Sequence, residues 1–124
     1  MTRILLIAAG GAAGTLLRFW LSNAVHLLLG RDFPYGTLVV NVFGSLAMGL
    51  LYVLLLERMA ESPEVRAAII VGLLGAFTTF STFSMETVNL IASGEQLKAG
   101  INILLSVTLS VLGCWLGLLL GRQI

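Results

Sequence analysis

The sequence predicts an all-α integral membrane protein with four transmembrane helices per chain. Of its 124 residues, 58% are hydrophobic and only 10% are charged, and the mean hydropathy is +1.03. A soluble domain carries about 25% charged residues, so this chain cannot cover a water-facing surface. One crossing takes roughly 20 apolar residues, and four crossings use almost the whole chain. We therefore expect residues 1–124 to form a single four-helix membrane domain, with helices over about 4–29, 37–56, 64–92 and 98–120.

The composition also excludes several classes of function. One His and one Cys cannot supply the usual ligands of a zinc site within one chain, and a single cysteine excludes an internal disulfide. A net charge of +1 is too small to suggest a nucleic-acid partner. We do not expect an enzyme, because the sequence shows no paired acids and no nucleophile with a neighbouring base.

The first predicted helix carries two glycines and a charge on one face. Gly10, Gly14 and Arg18 are spaced four apart, and small residues at this spacing let another helix approach closely. Charges within a membrane helix usually face the bundle interior or a water-filled cavity. Arg18 is thus either a functional charge or an arginine that snorkels or caps carbonyl groups.

Two further helices carry polar stripes. Helix 2 has Thr37, Asn41 and Ser45 at intervals of four. Such a stripe is consistent with packing against a neighbouring helix, but an amide in lipid needs several hydrogen-bond partners. Helix 4 repeats the pattern with Asn102, Ser106, Ser110 and Cys114. The two stripes predict polar tracks that are either structural or part of a path for a polar solute.

The third helix contains a stretch that weakens it. Residues 75–84 read GAFTTFSTFS, and their hydroxyls compete for the backbone hydrogen bonds of a helix. We expect a break near 75–79. Irregular backbone at membrane depth is tolerated only where it is buried in protein or lines a wet cavity. The stretch therefore predicts an ion or substrate path.

Aromatic residues recur through the same stretch. Phe77, Phe80 and Phe83 are three apart, so we expect them to project on roughly one side, with Ser81 and Thr82 between them. One interpretation is a packing ridge. The other uses the positive edge of the phenyl ring, which attracts an anion without trapping it. The pattern alone leaves both interpretations open.

The distribution of basic residues hardly favours one orientation in the membrane. If the chain crosses the membrane four times, its termini and its middle loop lie on the same side. That side holds Arg3, Arg58, Arg66 and Arg122, and the opposite side holds Arg31 and Lys98. Only Lys and Arg set orientation, and this excess is small. A chain that inserts both ways up would form an antiparallel, dual-topology homodimer. Such a dimer has the inverted symmetry that many transporters obtain from internal repeats.

Three motifs resemble those of the Fluc/CrcB family of fluoride channels. They are Gly75-x-x-Thr78-Thr79-Phe80-Ser81-Thr82-Phe83 on helix 3, Gly10-Gly11-x-x-Gly14-x-x-x-Arg18-Phe19 on helix 1, and Gly36-Thr37-Leu38-x-x-Asn41-x-x-Gly44-Ser45 on helix 2. The resemblance covers the chain in order and at the right length. It implies a multi-pass protein of the bacterial inner membrane that exports fluoride passively. The expected assembly is an antiparallel homodimer with two separate pores.

The resemblance also implies roles for individual residues. Phe80 and Phe83 would form an aromatic box with rings from both subunits, and Arg18 would lie near the vestibule and attract anions. The polar path would be lined by Asn41, Ser81, Thr82, Ser106 and Ser110. Gly75 and Thr78 would give backbone carbonyls to a structural Na⁺ on the dimer axis.

Two other functions compete with a fluoride channel. A proton-coupled exporter of the small multidrug type is also a four-helix, dual-topology dimer. It needs an acid within a helix, whereas helix 1 has Arg18 and the nearest candidate, Glu86, lies towards a helix end. The other possibility is a non-transporting assembly subunit.

Overall fold

The protein is helical throughout the residues that a computed structural model describes, which are 1–58 and 62–124. Helix α1 spans Thr2–Leu29, and α2 spans Tyr35–Tyr52 and continues as a π-helical segment over Val53–Arg58. Helix α3 has three consecutive parts, Pro63–Arg66, the π-helical Ala67–Leu74, and Gly75–Phe77. Helix α4 spans Phe80–Ala92 and α5 spans Gln96–Gln123.

The prediction of four membrane-spanning helices is confirmed. The segments Thr2–Leu29, Tyr35–Glu57, Pro63–Ala92 and Gln96–Gln123 are each long and apolar enough to cross a bilayer. The predicted ranges were slightly short, mainly because polar first and last turns do not enter a hydropathy pattern. The third segment consists of α3 and α4, which follow one another across a two-residue interruption.

Glycines bring the helices into close contact in two pairs, α1 with α3 and α2 with α5. A Cβ atom at Gly10 would collide with the Ala68 carbonyl oxygen, and one at Gly14 with the Leu73 carbonyl oxygen. Gly49 lies equally close to the Cys114 carbonyl oxygen on α5. The packing role predicted for the glycines of helix 1 is therefore confirmed.

The interruption of the third segment is confined to Thr78 and Thr79. Both have extended backbones, with φ −88°, ψ 158° at Thr78 and φ −150°, ψ 116° at Thr79. Gly75, at the start of the range predicted to be broken, is still helical with φ −61° and ψ −37°. The helix continues because the Thr78 N–H still bonds to the Leu74 carbonyl oxygen, at 3.2 Å. On α2, Gly44 makes room for the Thr78 side chain, which a Cβ there would meet.

The expected single row of three phenylalanines is wrong for Phe77. Its ring packs edge-on against Phe43 of α2, with ring centroids 6.2 Å apart. Phe80 and Phe83 pair with each other, with centroids 5.3 Å apart and planes tilted by 48°. Two extended residues separate Phe77 from Phe80 and Phe83, so a spacing of three residues does not place Phe77 on the same side as the other two rings.

Candidate functional site

Asn41 replaces the helical hydrogen bonds that the interruption removes. The Thr79 N–H donates to Asn41 Oδ1 at 2.7 Å, and Asn41 Nδ2 donates to the Thr79 carbonyl oxygen at 2.9 Å. The amide side chain thus pairs with both polar groups of one residue, as a neighbouring strand would. In a bilayer, a buried peptide group without such a partner destabilises the folded protein by on the order of several kcal/mol. Asn41 therefore holds the interrupted backbone in place.

Arg18 satisfies a second backbone group at the same point. Its Nε lies 3.0 Å from the Ala76 carbonyl oxygen, in the last turn of α3. A cation at this position complements the negative end of the helix dipole. Of the alternatives for Arg18, the carbonyl cap is the one that the geometry shows, and it leaves the other guanidinium donors for further partners.

Thr79 also begins α4. Its Oγ1 accepts from the Thr82 N–H at 3.2 Å, which is the usual hydrogen bond of an N-cap threonine. The same oxygen lies 3.1 Å from Thr82 Oγ1 and 3.3 Å from Ser81 Oγ. This role of Thr79 is not among the sequence-based predictions, although a Thr directly before a helical pattern is a recognisable start signal.

A groove of about 320 Å³ lies beside the interruption, between α2, α4 and α5. Phe83 is buried on its wall, whereas Phe80 is 75% exposed in the single chain. The groove is lined by hydroxyls, one amide and apolar side chains, with no charged residue among them: Asn41, Ser45, Thr78, Thr79, Phe80, Phe83, Ser106, Val107, Ser110 and Val111. Five of the predicted pore residues meet here.

The remaining predicted residues lie elsewhere. Arg18 and Thr82 line a smaller cavity of about 90 Å³, to which Thr79 also contributes. Ser81 is exposed and lines neither space. In the middle of α4, Glu86 lines a third cavity of about 230 Å³ together with His26. The predicted polar path is therefore divided among separate spaces within one chain.

A buried polar network supports the wall of the groove. Ser106 Oγ donates to Asn102 Oδ1 at 3.2 Å, and Asn102 Nδ2 donates to Thr87 Oγ1 at 2.9 Å. Thr87 Oγ1 donates in turn to the Phe83 carbonyl oxygen at 2.8 Å. Asn102 is 1% exposed and joins α5 to α4. From the sequence, Asn102 is recognisable only as part of a polar stripe, and no pattern points to Thr87.

The chain matches one protein family over most of its length. The family model described as "CrcB-like protein, Camphor Resistance (CrcB)" matches residues 5–118. The chain belongs to the CrcB family. Together with its four apolar helices, this membership makes it a multi-pass membrane protein.

Curated bacterial relatives carry the name "Fluoride-specific ion channel FluC". One from Coxiella burnetii is 48% identical over 98% of both chains, and one from Geobacter sulfurreducens is 46% identical over 100% of both. One from Methylococcus capsulatus is 55% identical over 95% of this chain. This chain spans only 52% of that relative's length.

The carbonyls predicted to bind Na⁺ differ in their surroundings from ordinary helical carbonyls. The Thr79 N–H, which would close the next helical bond to Gly75, donates to Asn41 instead. Thr78 lies outside both helices, and no donor in ranges 1–58 and 62–124 bonds its carbonyl oxygen. Neutral carbonyl oxygens are suitable ligands for a hard cation. The residues present thus fit a bound Na⁺.

Changing Asn41 to Asp tests its role as a backbone partner. A carboxylate still accepts from the Thr79 N–H, but it cannot donate to the Thr79 carbonyl oxygen. We expect Asn41→Asp to lower the free energy of unfolding by about 1–3 kcal/mol. Acidification should restore part of this loss, because a neutral carboxyl group can donate again. Thermal unfolding in detergent over a range of pH measures both effects.

Ser45→Ala is the matched control for this variant. Ser45 lies one turn further along α2 and lines the same groove, and its hydroxyl has no side-chain partner among the described residues. We expect its stability to stay within about 0.5 kcal/mol of the wild type. Equal stability of the two variants at every pH would contradict the assigned role of Asn41.

Proposed function

We propose that this protein is a fluoride-selective channel that lets fluoride leave the cell passively across the inner membrane. The observation that carries the proposal is the groove, in which two phenylalanine rings and several hydroxyls adjoin the helix interruption. Family membership and the names of the relatives support it. Outward flow down the gradient protects a cell that accumulates fluoride as the weak acid HF.

The groove has chemistry suited to a small anion. Phenyl rings attract an anion at their positive edges, and hydroxyl or amide donors replace the water that the ion loses. Asn41 uses one amide hydrogen on Thr79, so its second hydrogen is free to contribute. Neutral donors bind weakly enough for the ion to leave again, which conduction requires.

Arg18 supplies the positive charge that the groove lacks. It lines the adjoining small cavity with Thr82, and Thr79 borders both spaces. A charge beside the path, rather than in it, raises the local anion concentration without forming a trap. We assign Arg18 to the vestibule and assign Ser81 and Thr82 to the polar path near it.

The alternative of a proton-coupled small multidrug-type exporter receives no support from the comparisons. The relatives' names concern an ion channel. Channel activity also agrees with the expectation that the protein is not an enzyme, because the passive passage of an ion breaks no covalent bond.

Fluoride efflux from liposomes tests the proposal. The purified protein should release fluoride, and not chloride, when a potassium ionophore sets the membrane voltage. Phe83→Ile or Phe80→Ile keeps bulk and apolarity but removes the ring edge, so each should reduce the flux at least about tenfold.

Phe43→Ile is the matched control. Phe43 is 57% exposed and packs on Phe77 away from the groove, so its loss should leave the flux close to that of the wild type. Size-exclusion chromatography of each variant checks the assembly. Absence of fluoride efflux from the wild type would refute the proposed function. Normal efflux in both Phe80→Ile and Phe83→Ile would show that these rings serve only packing.

We further propose that two chains assemble as an antiparallel homodimer with two pores. Phe80 is 75% exposed, and the groove is open at the surface of the single chain, so one chain supplies only part of a wall. A ring from the second subunit would complete each aromatic box. The nearly even distribution of Lys and Arg between the two sides is compatible with insertion in both orientations.

Accessibility of the termini tests this arrangement. In cells that express active protein, tags at either terminus should be detected on both sides of the membrane. Adding three lysines to one loop should bias insertion and reduce flux, because antiparallel partners become scarce. Co-expression of an oppositely biased copy should restore the flux. A single orientation in the active wild type would contradict the dual-topology dimer.

A structural Na⁺ completes the proposal. In each chain, the Gly75 and Thr78 carbonyl oxygens would be its ligands, and opposed chains would bring two such pairs together on the dimer axis. The ion would neutralise carbonyl dipoles that lack amide donors at membrane depth. It would be a structural part of a protein whose pores pass anions.

Removing Na⁺ tests this site. A ligand that binds only the native dimer stabilises it by mass action. Exchange of Na⁺ for a bulky organic cation should therefore lower both the melting temperature and the fluoride flux. Thr78→Val should have a smaller effect, because the proposed ligand is the backbone oxygen. Unchanged stability and flux after exhaustive removal of Na⁺ would show that the site does not exist.

A further inference from the structure

The buried network behind the groove has a single consistent direction. The Phe83 carbonyl oxygen can only accept, so the Thr87 hydroxyl, 2.8 Å away, donates its one proton there. Thr87 Oγ1 can then only accept from Asn102, whose Nδ2 lies 2.9 Å away. The contact with Thr87 thus fixes which way round the Asn102 amide sits.

This orientation determines what Ser106 presents to the groove. Asn102 Oδ1 faces Ser106 Oγ at 3.2 Å, and an amide oxygen carries no proton. Ser106 must therefore donate its only proton to Asn102. Its oxygen lines the groove, but the proton that would bind an anion points away from it.

An anion at Ser106 has to compete for that proton. If the hydroxyl rotates towards the groove, Asn102 Oδ1 loses its donor in a side chain that is 1% exposed. A buried acceptor without a partner is unfavourable, and this cost is subtracted from the binding of the ion. We propose that Asn102 is a positioning residue that holds the Ser106 proton and thereby weakens fluoride binding at this point of the groove.

Weak binding at Ser106 serves conduction, so this inference rests on the proposed function. An ion must enter a site and leave it again, and a donor that is already engaged binds it less tightly. Ser110 provides an internal contrast. It lines the same groove on α5, and among the described residues its hydroxyl makes no side-chain hydrogen bond. Ser110 therefore has a hydroxyl proton available to an anion, one helical turn away from Ser106, whose proton is bonded to Asn102.

Fluoride efflux at several fluoride concentrations tests Asn102. Asn102→Leu removes the acceptor and frees the Ser106 proton. Thr87 Oγ1 loses the hydrogen bond that it accepts from Asn102 but still donates to the Phe83 carbonyl oxygen. We expect the half-saturating fluoride concentration to fall about fivefold, the equivalent of one hydrogen bond, and the maximal flux to decrease. In a Ser106→Ala background, Asn102→Leu should cause no further change in the half-saturating concentration.

Thr87→Val is the second variant, and it decides the question if Asn102→Leu does not fold. Without the Thr87 hydroxyl, the Asn102 amide group can rotate so that Nδ2 instead of Oδ1 faces Ser106, which frees the Ser106 proton. The half-saturating fluoride concentration should therefore fall, as it does in Asn102→Leu, but by a smaller factor. A purely structural role predicts lower dimer stability and maximal flux with an unchanged half-saturating concentration, and that result overturns the inference.

The double variant and the wild type separate the remaining outcomes. An equal Asn102→Leu effect with and without Ser106 contradicts action through that hydroxyl. Complete loss of flux in a folded Ser106→Ala dimer also contradicts it, because other donors line the groove. A wild type without fluoride flux overturns the proposed function itself. A fluoride-conducting wild type whose variants show no shift overturns only the inference.

Discussion

The structure depends on one constraint, which is that peptide groups at membrane depth need hydrogen-bond partners. The third segment leaves the helical path at Thr78 and Thr79, where lipid offers no substitute for the lost bonds. Asn41 pairs with both polar groups of Thr79, and Arg18 caps the carbonyl of Ala76. The glycine contacts of α1 and the space at Gly44 bring these helices close enough for such pairing. The polar residues near the groove thus have a structural task before any contact with an ion.

The same partners leave a limited set of donors for transport. Among residues 1–58 and 62–124, Asn41 has one free amide hydrogen, Ser106 is engaged with Asn102, and Ser110 makes no side-chain hydrogen bond. A path built in this way contains neutral donors of graded availability and no charge. If the groove is the proposed fluoride path, such grading would favour passage over retention, because neutral and partly engaged donors bind an anion weakly. Stability and conduction would then be linked through the same hydrogen bonds.

Much of the fold could be predicted from the sequence, because hydropathy and length alone determine four crossings in so apolar a chain. The weakened helix was also recognisable from its threonines. The predicted range of the break is too wide, because Gly75 stays helical and only Thr78 and Thr79 within that range are extended. The three-residue spacing of the phenylalanines does not predict the direction of Phe77, because the chain is extended between Phe77 and Phe80. The Asn102 and Thr87 pair could not be derived, since contacts between helices depend on rotation and register that one sequence does not show.

The central claim is that Asn41 stabilises the interruption through the backbone of Thr79, and a backbone substitution tests it most directly. Semisynthesis can replace the peptide nitrogen of Thr79 by an ester oxygen, which removes the N–H and keeps the side chain. The ester should destabilise the wild type by about 1–3 kcal/mol and have little effect in an Asn41→Ala background. Equal destabilisation in both backgrounds would show that the Thr79 N–H does not depend on Asn41 and would contradict the account.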